Sequence, residues 1–144
     1  MLLYELLSCN IELCKHLGIE FMNVYGKELI LDLHNCDAST FNRKSIRRFF
    51  TELCDLIDME QCRLCWWDDH GVPSKEQEHE PHLKGTSAIQ FIKTSNIVIH
   101  TLDILENVYL NIFSCKEFDA EMAEKFTEKW FKGKIVSSHI IERR

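Results

Sequence analysis

The chain has 144 residues with 45% hydrophobic content, enough for one domain with a real core and too little for two. Its 17 basic and 23 acidic residues give a net charge of −6, the wrong sign for neutralising a phosphate backbone, so no nucleic acid partner is expected. Seven cysteines, an odd count scattered through apolar segments, fit a reducing compartment rather than a disulfide framework.

At the start, Met1-Leu2-Leu3-Tyr4-Glu5 lacks a basic lead, and Glu5, Asn10, Glu12 and Lys15 interrupt the apolar run. The expectation is neither a signal peptide nor a membrane span, and hence a cytoplasmic protein with no membrane partner. Residues 1–25 set Leu3, Leu6, Leu7, Leu13, Leu17 and Phe21 at helical spacing, which predicts an N-terminal helical extension ahead of a domain over 26–144.

Between Glu28 and Leu33 apolar residues alternate, the period of a half-buried strand, and Asn35-Cys36-Asp37 ends it. From Asn42 to Met59 the set Ile46, Phe49, Phe50, Leu53 and Ile57 recurs in steps of three and four, an amphipathic helix with Arg43, Lys44, Arg47 and Arg48 on its wet side. Residues 68–85 carry Gly71, Pro73, Pro81 and Gly85 and read as a long loop. Three alternating runs follow, Ser87 to Thr94, Ile97 to Leu102 and Val108 to Cys115, rich in the residues that pleated surfaces favour. Asp119 is placed to cap a helix bearing Met122, Ala123, Phe126 and Trp130 on one side, Gly133 to stop it, and Lys134 to Ile141 to form a last strand. Each helix needs a sheet face on which to bury its stripe, so the fold class is α+β: a two-layer sandwich of an antiparallel sheet with helices on one face.

Two constellations carry little chemistry. Cys62-Arg63-Leu64-Cys65 has the spacing of half a zinc ribbon but no second pair, and it precedes a Trp66-Trp67 doublet that looks core-bound, so both thiols read as structural. The loop offers Asp68, Asp69, His70, Glu76, Glu78, His79, Glu80 and His82 without any metal-ligand spacing, and no metal is expected.

A third constellation is more specific. Gly85-Thr86-Ser87-Ala88, then Lys93-Thr94-Ser95-Asn96-Ile97-Val98-Ile99-His100-Thr101, then Asn111-Ile112-Phe113-Ser114-Cys115 resemble the core signature of the prokaryotic S-adenosylmethionine decarboxylases. In that family a glycine-flanked serine precedes a self-cleaving serine by eight residues, with a histidine five beyond and a cysteine fifteen further, and all these spacings recur here. Gly26 to Asp37 is similar to the family's first strand, and the resemblance runs from residue 26 to about 141.

The resemblance implies a pyruvoyl cofactor made from Ser95 itself. Decarboxylating an amino acid leaves a carbanion, which needs an electron sink that a chain-borne carbonyl supplies through an imine. Carried over, the Ser95 hydroxyl attacks the Thr94 carbonyl, and β-elimination of the resulting ester leaves chains 1–94 and 95–144. His100 removes the Ser95 α-proton, Ser87 hydrogen-bonds the tetrahedral intermediate, and Cys115 returns a proton after carbon dioxide leaves. Thr94 stands where the family usually has glutamate, but the acyl shift uses only its carbonyl. The family's ribose-binding acid is displaced by one residue to Asp103, and its adenine-stacking aromatic maps to His82 or to Trp66 or Trp67. The resemblance further implies a small-molecule substrate, a homodimer and a place in polyamine (spermidine) synthesis. Two other readings stand beside it: a pyruvoyl decarboxylase of arginine or ornithine, and a family member that no longer cuts itself.

Overall fold

A computed structural model describes residues 24–144. The expected helical extension therefore lies outside the described residues, apart from Val24 and Tyr25. Six strands, β1 (Gly26–His34), β2 (Gln61–Trp67), β3 (Gly85–Ile92), β4 (Ser95–Leu102), β5 (Asn107–Ser114) and β6 (Lys134–Arg143), form one sheet in the order β2-β3-β4-β5-β1-β6. All neighbours are antiparallel. Two helices, α1 (Arg43–Leu56) and α2 (Ala120–Phe131), cover one face.

Period-two alternation decides which residues meet the helices. Leu29, Leu31 and Leu33 of β1, Ile97 and Ile99 of β4, and Leu110 and Ile112 of β5 are all fully buried. Against them α1 sets Ile46, Phe49, Phe50 and Leu53, and α2 sets Ala123 and Phe131. Phe49 is the hub, its ring centroid 4.9 Å from that of Phe131, 5.7 Å from Phe126 and 5.9 Å from Trp130. Among the described residues, no element covers the opposite face, where Ile89, Phe91 and Trp67 stand exposed.

Caps fix the helix starts. Asn42 accepts from the Ser45 N–H at 3.0 Å, and Asp119 from the Met122 N–H at 3.0 Å. At the end of α2 the left-handed residue is Lys132 (φ 51°) rather than Gly133. Gly133 is required for space instead, since a Cβ there would fall 2.4 Å from the Cys36 sulfur. Met122, expected on the core side of α2, is exposed.

Strand β2 is the element that periodicity missed. It is an edge strand, so Trp66 and Trp67 cannot both be core. Trp66 turns to the helix side, beneath the Arg43 and Arg47 guanidinium groups at 5.4 and 5.8 Å, while Trp67 points the other way and is 84% exposed.

Candidate active site

Strands β3 and β4 are joined by only two residues, Lys93 and Thr94. So tight a connection forces a left-handed residue, and here it is Thr94, with φ 60°. A β-branched side chain resists that conformation, which stores on the order of 1–3 kcal/mol of strain beside the Thr94–Ser95 bond.

Ser95 opens β4 and is only 8% exposed. Its hydroxyl oxygen accepts the Cys115 backbone N–H at 3.1 Å, and the hydroxyl donates to the Cys115 sulfur at 3.6 Å. The Thr94 hydroxyl lies 3.0 Å from the same sulfur. Hydrogen bonding from Thr94, then from Ser95, holds the Cys115 thiol below its ordinary range, with a smaller contribution from Tyr25. A cleft of about 480 Å³, lined by Met59, Glu60, Lys93, Thr94, Cys115 and Lys116, opens onto this group.

The second group sits on the open face. Ser87 of β3 is the cross-strand partner of His100 on β4, and the Ser87 Oγ is 2.6 Å from His100 Nδ1. Gly85 makes this register possible, because a Cβ there would meet the Thr101 carbonyl oxygen at 1.7 Å. Trp67 pairs with Ser87 from β2, and Tyr109 pairs with His100 from β5. The face thus carries a row reading Trp67, Ser87, His100, Tyr109.

The two groups do not meet within one chain. Five residues of extended strand separate Ser95 from His100, about 16 Å at the usual rise, and an odd separation also turns their side chains to opposite faces. The four residues expected to act together therefore form two pairs, Ser95 with Cys115 and Ser87 with His100.

The family model for S-adenosylmethionine decarboxylase matches residues 27–144. The chain belongs to this family. The crystal structure of the adenosylmethionine decarboxylase from Aquifex aeolicus is similar, with a TM-score of 0.66 and 16% identity over 83% of this chain and 91% of that one, a likeness of fold. No curated protein matches the chain at a significant level.

Membership of the S-adenosylmethionine decarboxylase family makes the departures informative. Asp103, the expected ribose ligand, lies just past the end of β4 in a polar cleft with Arg43, Asp68, Asp69 and Lys84, on the side of the α1 N-terminus. Desolvation pushes its carboxyl above the usual range, and its Oδ1 is buried without a hydrogen-bond partner. His82 is exposed on the loop and belongs to neither pair. That loop is tied down by Asp68, which accepts from Arg43 at 2.8 and 2.6 Å, and by Asp69, which accepts from Lys84 at 2.8 Å. It borders the Asp103 cleft rather than the Ser95 cleft.

Of the aromatic residues weighed for substrate contact, Trp67 is the one beside Ser87. A bulge interrupts β2 between Gln61 and Leu64, so simple alternation does not set the faces of Cys62 and Cys65. Cys62 is exposed, where burial had been expected of both. Among the described residues, no group of three or more His, Cys, Asp or Glu is placed to hold a metal ion, and no helix is long and apolar enough to cross a membrane. Sequence reading passed over Tyr109 and Tyr25. Tyr109 was legible from register, lying opposite His100 in a short meander, but Tyr25 was not, because it precedes the strand.

Proposed function

We propose that this chain is a self-processing, pyruvoyl-dependent decarboxylase that cuts itself between Thr94 and Ser95 and works as a homodimer. The observation that carries the reading is the hairpin itself: a left-handed threonine precedes a buried serine whose hydroxyl is held by Cys115. The Ser95 oxygen bonds to the Thr94 carbonyl carbon, the C–N bond breaks, and the hydroxyl proton passes to the departing nitrogen. An ester results. Loss of the Ser95 α-proton then expels the Thr94 carboxylate, and hydrolysis of the dehydrated residue releases ammonia and leaves the ketone.

A base must reach the Ser95 α-carbon, and His100 of the same chain stands about 16 Å along the strand. A second copy laid on the open face resolves this, with His100 and Ser87 of the partner subunit meeting Ser95 and Cys115. The exposed Ile89, Phe91 and Trp67 on that face support such a pairing. When formed, the ketone supplies the electron sink for decarboxylation. Cys115 then holds the proton that returns to the substrate carbon, its thiol range lowered by hydrogen bonding from Thr94 and Ser95.

The substrate most in keeping with the family is S-adenosylmethionine, with the exposed Trp67 indole beside Ser87 as the surface for a flat ring, and the product would feed polyamine synthesis. One observation favours a second reading. Asp103 faces Lys84 and α1 rather than Ser87, which leaves the open face without the expected ribose acid, so arginine or ornithine is the competing substrate.

The test is the mass of the full chain under denaturing conditions beside a Ser95→Ala control. Two fragments dividing at Thr94–Ser95, the later one blocked by a pyruvoyl group and both absent in the control, support the reading. A single uncut chain after long incubation sinks it. Release of labelled carbon dioxide from each amino acid then separates the substrates.

A further inference from the structure

The imidazole of His100 has a wall on each side. On the β3 side, Ser87 Oγ lies 2.6 Å from Nδ1. On the β5 side the phenol ring of Tyr109 is stacked on it, ring centroids 6.4 Å apart and planes 25° from parallel. Tyr109 is itself held, since Asn107 Nδ2 donates to its hydroxyl at 3.3 Å and its backbone pairs with Asp32 on the far side.

The two contacts fix different things. A hydrogen bond at Nδ1 sets which nitrogen carries the proton, and if Nδ1–H donates to Ser87 the lone pair is left on Nε2, the only ring nitrogen then able to take a proton. It does not stop the ring from swinging about its Cα–Cβ bond. A histidine on an open sheet face has three staggered wells, and only one keeps Nε2 at a given point above the sheet. A flat neighbour stacked on the ring closes the wells on its own side, at the separation and angle that aromatic pairs favour. Serine at the other side is too small to do this.

We propose that Tyr109 is a positioning residue for self-cleavage: its ring holds the His100 imidazole upright from the open face, so that Nε2 meets the α-proton of Ser95 of the partner subunit. The proposal rests on the assignment of His100 as the base for the elimination step. It adds that the phenol ring, not its hydroxyl, is what matters, and that the acyl shift at the hairpin does not need it.

The experiment follows the two steps separately in the full chain. Hydroxylamine cleaves esters and leaves amides, so it cuts the chain only after the acyl shift and marks residue 94 as a hydroxamate. With Tyr109→Ala, the final fragments form at least tenfold more slowly while hydroxylamine still cuts, because ester accumulates. With Tyr109→Phe, cleavage stays within about threefold of the parent, a rescue expected of a stacked ring and not of a hydroxyl.

Three results overturn the proposal: parental cleavage by Tyr109→Ala, slow cleavage with no trappable ester, or a Tyr109→Phe chain as slow as the alanine variant. His100→Ala run in parallel locates a failure. If it too cuts itself normally, the base assignment is wrong and the proposal falls with it. If it accumulates ester while Tyr109→Ala does not, only the role of Tyr109 is lost.

Discussion

The Thr94 hydroxyl lies 3.0 Å from the Cys115 sulfur, so the residue before the candidate cleavage bond also tunes the candidate proton carrier. Thr94 is the largest cause of the lowered Cys115 thiol range. A lowered value means more thiolate at pH 7 and faster alkylation. In a Ser95→Ala chain, iodoacetamide should label Cys115 before Cys36 and Cys54, whose thiols burial pushes up to about 11 and about 12. Thr94→Val removes the hydroxyl, raises the Cys115 value, and should slow labelling because less of the thiol is ionised. Peptide mass mapping reads both, and an unchanged rate would deny the coupling.

Strain at Thr94 has its own consequence. Glycine adopts φ 60° freely, so Thr94→Gly in the uncut Ser95→Ala background relieves the strain while loosening the unfolded chain. The balance should favour the folded state by about 0.5–1 kcal/mol, a rise of roughly 2–5 °C in the melting temperature. In the parent background the same change should slow cutting several-fold. Melting curves and the rate of fragment formation check the two halves.

A site completed by a second copy makes a statement about mixtures. His100→Ala chains keep Ser95, and Ser95→Ala chains keep His100, so neither alone should cut. Refolded together at equal amounts, about half of the His100→Ala chains should find a complementary partner and be cleaved, by random pairing in a symmetric dimer. Denaturing gels would show fragments from the mixture only. Fragments from His100→Ala alone would place the base elsewhere.

The loop anchor gives a prediction in pH. Asp68 is 8% exposed at its side chain and held by Arg43, which keeps its carboxyl below the usual carboxylate range. Because the folded value is depressed, the stabilisation is present above the unfolded value near 4 and fades as pH falls through the folded one. Arg43→Met keeps a long unbranched side chain beside Trp66 but removes the guanidinium and strands the carboxylate. It should cost about 1–2 kcal/mol at pH 7, allowing for the solvent that reaches Arg43, and the gap should narrow below about pH 4. Urea unfolding at several pH values measures it, and a gap independent of pH would count against the pair.

Much of the fold was legible because alternation and helical spacing report burial on one face. Leu29, Leu31 and Leu33, or Phe49, Phe50 and Leu53, have no other reason to recur as they do. Strand β2 was hidden for the same reason: Gln61 to Trp67 sits at the edge, where little is buried, so its pattern carries little signal. The spacing of Ser87, Ser95, His100 and Cys115 pointed to a family that the match over 27–144 bears out. The same five-residue spacing already sets Ser95 and His100 about 16 Å apart on one strand; what sequence order could not show is that the end of β5 brings Cys115 to Ser95 while β3 brings Ser87 to His100. The position of Asp103 is set by turn geometry that periodicity does not record: it follows the end of β4, its N–H donates to the Lys84 carbonyl at 3.0 Å, and it lines a polar cleft with residues far away in sequence.

The strand order carries one more implication. A cut after Thr94 would leave β1, α1, β2 and β3 on one piece and β4, β5, α2 and β6 on the other. Yet β1 lies between β5 and β6, and β4 between β3 and β5, so the pieces are interleaved like clasped fingers. Neither piece can leave without tearing ladders on both its sides. The nick would therefore not loosen the native protein, but it would change what unfolding means. Afterwards recovery requires two polypeptides to find each other, so refolding becomes second order and dilution alone makes the loss permanent.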